Sequence, residues 1–298
     1  RYWGIPLPIW RTIDKSETKV IGSVNELRSE IIRSVNYNHM EFNLLEDFEA
    51  DNMGDENYDK IDLHKNTVDS IILTSNDGKP MYREKDLIDV WFDSGAMPYA
   101  QVHYPFENKD LIDKKKMFPA DYIAEGVDQT RGWFYTLHVI STIVFDSIAY
   151  KNVISNGLVL DKNGQKMSKR LGNSIDPFEI ISKYGPDATR WYMISNSNPW
   201  DNLKFDIDGV NEISRKFFGT LFNTYSFFAI YANIDEFNVN KKNIPIEKRP
   251  EIDRWIISEL NRLIKEVDDA FYKYDATKAA RNISIFVNDL LSNWYVRL

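Results

Sequence analysis

The sequence predicts an α/β fold followed by an all-α segment, and three observations carry that prediction. An apolar run from Val153 to Leu160 ends in an Asn163-Gly164 turn that delivers Lys166, Met167, Ser168, Lys169 and Arg170 in succession. A second short apolar run, Tyr122 to Ala124, meets Glu125-Gly126 and then a helical pattern, Phe134, Leu137, Ile140, Ser141 and Val144. From Pro250 the period is helical to the end: Trp255, Ile256, Leu260, Leu263, Ile264, Val267 and Phe271, then Ile283, Phe286, Val287, Leu290 and Leu291.

The composition bounds the function. With 298 residues, 43% of them hydrophobic, the chain suffices for one large or two ordinary domains. It has no cysteine, which excludes disulfides and Cys-containing zinc or redox sites. His39, His64, His103 and His138 lack metal-ligand spacing, and no metal site is expected. No apolar run reaches the roughly 18 residues that span a bilayer, so no membrane insertion is expected. A formal charge of −8 argues against broad nucleic-acid binding, though not against a local basic face. The chain opens on Arg-Tyr-Trp-Gly without an initiator Met or a signal-peptide pattern, and reads as a piece of something longer.

Taken in order, residues 1–11 read as an extended, aromatic-rich arm, because Pro6 and Pro8 bias their predecessors away from helix. An amphipathic helix is expected over Val24 to Val35. The acidic, Asn-rich stretch from Glu46 to Asp62 reads as a peripheral insertion. Val68 to Thr74, followed by Asn76-Asp-Gly78, reads as a strand entering a hairpin turn. Residues 1–80 are thus expected to form a connective module.

The stretch 89–101, Asp-Val-Trp-Phe-Asp-Ser-Gly-Ala-Met-Pro-Tyr-Ala-Gln, reads as a short strand running into Ser-Gly. Its aromatics are either core residues or walls of the crevice at a strand's carboxyl end. After Tyr122 to Ala124, Gly126 permits a sharp turn and Asp128 can cap the following helix. Glu125, Asp128 and Gln129 then cluster at the strand's carboxyl end and the helix N-terminus. A carboxylate there would suit an ammonium group, and Asp128 a pair of ribose hydroxyls. Trp133, one residue before the helical pattern, is by itself more simply a core aromatic.

Lys166 and Lys169 are three apart with a hydroxyl between them. They are either a solvated basic turn or a pair of ammonium groups reaching different oxygens of one polyphosphate. Beyond them, 175–192 offers two short helices, the second opening at Pro186 after Gly185. Residues 210–234 and 250–298 read as helical, separated by an Asn- and Lys-rich loop, 237–249.

Several of these stretches resemble one family. Lys-Met-Ser-Lys-Arg, preceded by Leu-Asp-Lys-Asn-Gly and followed by Leu-Gly-Asn, is similar to the signature loop of class I aminoacyl-tRNA synthetases. Arg170 replaces the usual final Ser, a variant similar to the eukaryotic and archaeal type. Trp-Phe-Asp-Ser-Gly with Met-Pro-Tyr-Ala-Gln, and Glu-Gly-x-Asp-Gln-x-Arg-Gly-Trp-Phe, resemble the isoleucyl branch rather than the valyl or leucyl ones. Arg-Tyr-Trp-Gly is similar to the segment by which these enzymes return to the catalytic domain after their editing insertion. The helices from 210 resemble the start of their anticodon-binding domain.

The resemblance implies the C-terminal half of a Rossmann-like catalytic domain, residues 81–209, followed by a truncated anticodon-binding segment, residues 210–298. It implies ATP-dependent activation of isoleucine and transfer to tRNA(Ile), with Mg2+ arriving on ATP, in a monomeric, cytoplasmic enzyme. Lys166 and Lys169 would be catalytic. Gly126, Asp128, Gln129, Met167 and Ser168 would contact ATP or the adenylate. Glu125 would hold the amino group of isoleucine, and Trp91 and Trp133 would wall its side chain. The other signature of the class, His-Ile-Gly-His, does not occur in this sequence, nor does the editing domain, so the isolated chain is expected not to aminoacylate tRNA. The competing expectations are a valyl or leucyl enzyme, a non-catalytic tRNA-binding module and an unrelated nucleotidyltransferase.

Overall fold

The computed structural model describes residues 4–238 and 244–298. Arg1, Tyr2 and Trp3 of the expected opening arm, and residues 239–243 of the Asn- and Lys-rich loop, lie outside the described residues. The chain divides into two compact units: 1–122 with 130–151, and 123–129 with 152–298.

The first unit is built on a four-stranded antiparallel sheet of β1 (Ile9–Thr12), β2 (Thr18–Val20), β3 (Ile72–Thr74) and β4 (Pro80–Arg83), in the order β2-β1-β4-β3. Helix α1 (Val24–Asn36) opens at Ser23, whose hydroxyl accepts the Glu26 N–H, and buries Leu27 and Ile31. Trp10 anchors the core, 2% exposed, with its indole N–H donating to the Ile71 carbonyl at 2.8 Å. The hairpin expected after Val68 is present, but its strand begins at Ile72. Val68 itself ends the short helix α3 (Lys65–Val68), which follows α2 (Asp55–Tyr58).

Two expectations are corrected in this unit. The Asn-rich stretch is not peripheral: Leu45, just before it, and Phe48 within it lie in the same core as Trp10, and its Tyr58 and Ile61 pack against that core. Buried Asn57 ties its backbone by donating to the Glu49 and Asn52 carbonyls at 2.8 and 2.6 Å. Residues 90–100 are not a strand but helix α4 (Val90–Ala100), because the Asp89 carboxylate accepts the Trp91 N–H at 2.9 Å and caps the first turn. The helices α5 (Lys109–Asp113) and α6 (Trp133–Phe145) complete the unit. Gly95 of α4 meets α6 so closely that a Cβ there would lie 2.6 Å from Ile140 Cδ1 and 3.0 Å from the Thr136 carbonyl.

In the second unit β5 (Ile123–Gly126) pairs in parallel with β6 (Val153–Asn156). The apolar run 153–160 is therefore two strands rather than one, since β7 (Val159–Leu160) pairs in parallel with β8 (Leu203–Lys204) instead. The break falls at Gly157, where a Cβ would lie 2.3 Å from the Asp201 carbonyl oxygen. Helices α7 (Pro177–Tyr184) and α8 (Pro186–Asn196) form as expected, Pro186 opening the second. With α9 (Ile207–Glu212) they enclose Ile180, Ala188, Tyr192, Phe205 and Val210.

The rest is helical, as expected: a π segment Ile213–Phe218, α10 (Gly219–Ile234), α11 (Glu251–Tyr272), α12 (Ala276–Ile285) and a π segment Phe286–Tyr295. Trp191 of α8 stacks on Phe217 at 4.5 Å and donates to the Ser284 hydroxyl at 3.1 Å, joining these helices to the preceding layer of the same unit.

Candidate functional site

The lysine-bearing segment is a hairpin closed at its base. Leu160 and Lys166 form an antiparallel bridge, and the Asp161 N–H donates to the Gln165 carbonyl at 2.9 Å. Gly164 takes the left-handed conformation that the turn requires, φ 82°. Asp161, 9% exposed, accepts the N–H groups of Asn163 and Gln165 on one carboxylate oxygen at 2.9 and 2.8 Å. Its other oxygen accepts the Asn173 amide at 2.9 Å.

Asn173 in turn reaches both sides of Met167. Its Nδ2 donates to the Lys166 carbonyl at 3.3 Å, and its Oδ1 accepts the Ser168 N–H at 2.9 Å. Met167 packs inward against the apolar cluster around Tyr192. Ser168 is extended, and its hydroxyl accepts the Arg170 N–H at 3.2 Å, capping a single 3-10 turn, Lys169–Leu171. The side chains of Lys166 and Lys169 are exposed, and among the described residues neither meets a carboxylate at ion-pair distance. Two ammonium groups thus project from a backbone whose inward residue is anchored.

The same unit carries the Glu125 cluster. Parallel pairing sets Glu125 opposite Ser155 and Gly126 opposite Asn156 at the carboxyl ends of β5 and β6. Glu125 is exposed there. A 3-10 turn, Val127–Arg131, follows, so Asp128 does not cap α6; that position is Gly132. Asp128 folds back over the strand end instead. A Cβ on Gly126 would lie 2.6 Å from Asp128 Oδ1, so this carboxylate position needs glycine at 126. The Gln129 amide donates to Asp128 Oδ2 at 3.1 Å. The strand β6 then continues through Gly157 and β7 into the lysine hairpin.

Trp91 and Trp133 belong to the first unit. Trp91 is 43% exposed in the first turn of α4, and Trp133 is half-buried at the start of α6. The Trp133 indole N–H donates to the Ser94 carbonyl at 3.0 Å, which brings it one turn from Trp91. That carbonyl is available for a reason legible in the chemistry: its helical partner would be the N–H of residue 98, which is proline. Asp93, between Trp91 and Ser94 on α4, has its carboxyl pushed above the ordinary value by burial and then by Asp89.

Two residues that build the lysine hairpin, Asp161 and Asn173, were not expected as part of the site. The signal for the first was present, since Asp two residues before Asn-Gly is an Asx-turn pattern. For Asn173 nothing local pointed to a partner twelve residues away. No three His, Asp or Glu side chains cluster as metal ligands among the described residues, and no helix there is long and apolar enough to cross a membrane.

Comparison with known proteins gives this arrangement a family. Residues 1–206 match the family model for tRNA synthetases class I (I, L, M and V), and residues 253–298 match the anticodon-binding domain of tRNA ligases. The chain belongs to the class I tRNA synthetases. Over its whole length it is 66% identical to an isoleucine–tRNA ligase of Bacteroides fragilis, 64% to that of Porphyromonas gingivalis and 45% to that of Clostridium novyi. It spans 26% of the length of each of these relatives. A solved ternary complex of an Agrobacterium radiobacter leucyl enzyme (LeuRS-tRNA-LeuAMS) shares the fold, with a TM-score of 0.68 at 19% identity over 99% of this chain and 36% of that one.

Proposed function

We propose that this chain is part of an isoleucine–tRNA ligase and carries the lysine-loop half of its ATP-dependent activating site. The observation that carries this reading is the run from β5 through β6 and β7. One parallel pair sets Glu125 and Gly126 at a strand's carboxyl end, and the partner strand continues into the hairpin that bears Lys166 and Lys169.

In the first step the carboxylate of isoleucine attacks the α-phosphorus of ATP. The bond from that phosphorus to the bridging oxygen breaks, and pyrophosphate leaves with the electron pair. No protein nucleophile takes part, so the protein contributes positioning and charge. Lys166 and Lys169 stabilise the charge that grows on the leaving phosphates, with Mg2+ brought by ATP as part of the substrate. The Glu125 carboxylate takes the α-ammonium of isoleucine. Gly126, Asp128 and Gln129 hold the adenylate, Asp128 through the ribose hydroxyls, and Met167 and Ser168 contact the nucleotide.

Trp91 and Trp133 wall the side chain. A hydrophobic wall separates isoleucine from valine by about 1–3 kcal/mol, a limit for which this pair of amino acids is the standard illustration. In the second step the acyl group passes from the adenylate to a terminal ribose hydroxyl of tRNA(Ile), and AMP leaves. The anticodon-binding-domain match at 253–298 supports tRNA as the partner, and the bacterial origin of the relatives supports the cytoplasm as the place of action.

In the full-length protein, Lys169→Ala lowers the rate of adenylate formation on the order of 100-fold, as loss of a transition-state charge contact does, with a smaller effect on isoleucine affinity. Glu125→Ala instead weakens isoleucine binding. Single-turnover adenylate formation and isoleucine titration read the two effects separately. An unchanged activation rate in the first variant removes the loop's role, and unchanged affinity in the second removes that of Glu125. The match at 253–298 also suits a non-catalytic tRNA-binding module, which would bind tRNA but no adenylate analogue.

A further inference from the structure

We propose that Asp161 and Asn173 are positioning residues for the two lysines, forming a side-chain clasp across the base of the loop that sets where Lys166 and Lys169 start. This rests on the reading of the loop as the ATP-handling element.

A lysine side chain does not place its own charge. Its ammonium sits on a flexible four-carbon stem and defines no geometry of its own, so precision has to come from the backbone beneath it. That backbone is closed by one bridge, Leu160 with Lys166, and ends in a single 3-10 turn, and between the two it is side chains that fix it. Asp161 binds the turn 163–165 with one carboxylate oxygen and Asn173 with the other. Asn173 spends both amide hydrogens and its oxygen on Asp161, the Lys166 carbonyl and the Ser168 N–H. The peptides on either side of Met167 are therefore held by one side chain, while Met167 itself is seated in the apolar cluster. Lys166 leaves one held peptide, and Lys169 follows the other through the Ser168 cap.

The chemistry of the clasp is directional, which makes it testable without removing volume. Asn173→Asp keeps the shape and the acceptor for the Ser168 N–H. It replaces both donors with carboxylate oxygen, facing the Asp161 carboxylate and the Lys166 carbonyl. Asp161→Asn in the same chain turns the first of these repulsions back into an amide–carboxylate hydrogen bond with donor and acceptor exchanged.

The experiment is isoleucine-dependent ATP–pyrophosphate exchange by the full-length protein, with wild type, N173D, D161N/N173D, K169A and K169A/N173D. Misplacing the lysines by about 1 Å costs on the order of 10- to 100-fold in kcat for N173D. The KM for isoleucine stays within about twofold, because the altered groups are remote from the amino-acid contacts in sequence and role. D161N/N173D regains part of the loss. In the K169A background N173D costs only about twofold, since most of what the clasp positions is already gone.

The proposal is overturned if N173D leaves kcat unchanged, if kcat and isoleucine KM deteriorate together, if D161N/N173D is no better than N173D, or if the two losses multiply in full. An unaffected K169A would instead bring down the reading of the loop on which the clasp rests. A slowed K169A beside an unaffected N173D would remove the clasp alone.

Discussion

Asp161 has its carboxyl held below the usual carboxylate value chiefly by the Asn173 amide and the Gln165 N–H, against the opposing effect of burial. A carboxylate whose folded-state pKa is lowered contributes stability that is fully present above the unfolded value and is lost as pH falls through the folded one. The difference in unfolding midpoint between wild type and Asp161→Asn should therefore be constant between about pH 5 and 8 and shrink only below about pH 4. A difference that already falls between pH 7 and 6 would contradict this ionisation state. Lys166 and Lys169 were legible in the sequence because a turn and two charges are local. The clasp was not, because it depends on Asn173 meeting the hairpin base across a loop whose closure no periodicity encodes.

The helix α4 shows the same limit at the level of an element. Val90, Trp91 and Phe92 favour strands, and Ser94-Gly95 and Pro98 interrupt a helical reading, so the pattern pointed to a strand ending in a turn. Tertiary packing overrides it. Asp89 caps the helix, Gly95 lets α6 approach, and the carbonyl that Pro98 leaves without a helical donor is taken by Trp133. The break that argued against helix is thus the contact that orients Trp133. Gly95→Ala would add a Cβ against the Thr136 carbonyl, which is backbone and must shift with its helix. We expect a stability loss of about 1–3 kcal/mol, as overpacking gives. Because Trp133 rides on the same helix, the KM for isoleucine should rise more than the KM for ATP in pyrophosphate exchange. An equal change in both would mean that the crossing does not govern the amino-acid wall. By contrast α1 was readable to within a residue, and the start of α8 at Pro186 was readable because proline after Gly185 is a local start signal, although that helix runs on to Asn196.

For the whole molecule, the order of contiguous motifs along the chain made the family legible. Each of them is a short run whose meaning survives without knowledge of tertiary contacts. The partition of the fold did not share that advantage. The first unit takes back residues 130–151 after the chain has left it for 123–129, and no composition shift marks either crossing. The residues assigned to isoleucine activation are divided accordingly, with Trp91 and Trp133 in the first unit and Glu125 to Gln129 and the lysine hairpin in the second. That assignment stands on amino-acid choice, and the most direct measurement is ATP–pyrophosphate exchange by the full-length protein with isoleucine, valine and leucine compared at matched concentrations. Isoleucine is expected to give the highest kcat/KM, about 10- to 200-fold above valine, as one methylene in an apolar pocket allows. Exchange supported equally by valine, or better by leucine, would contradict it.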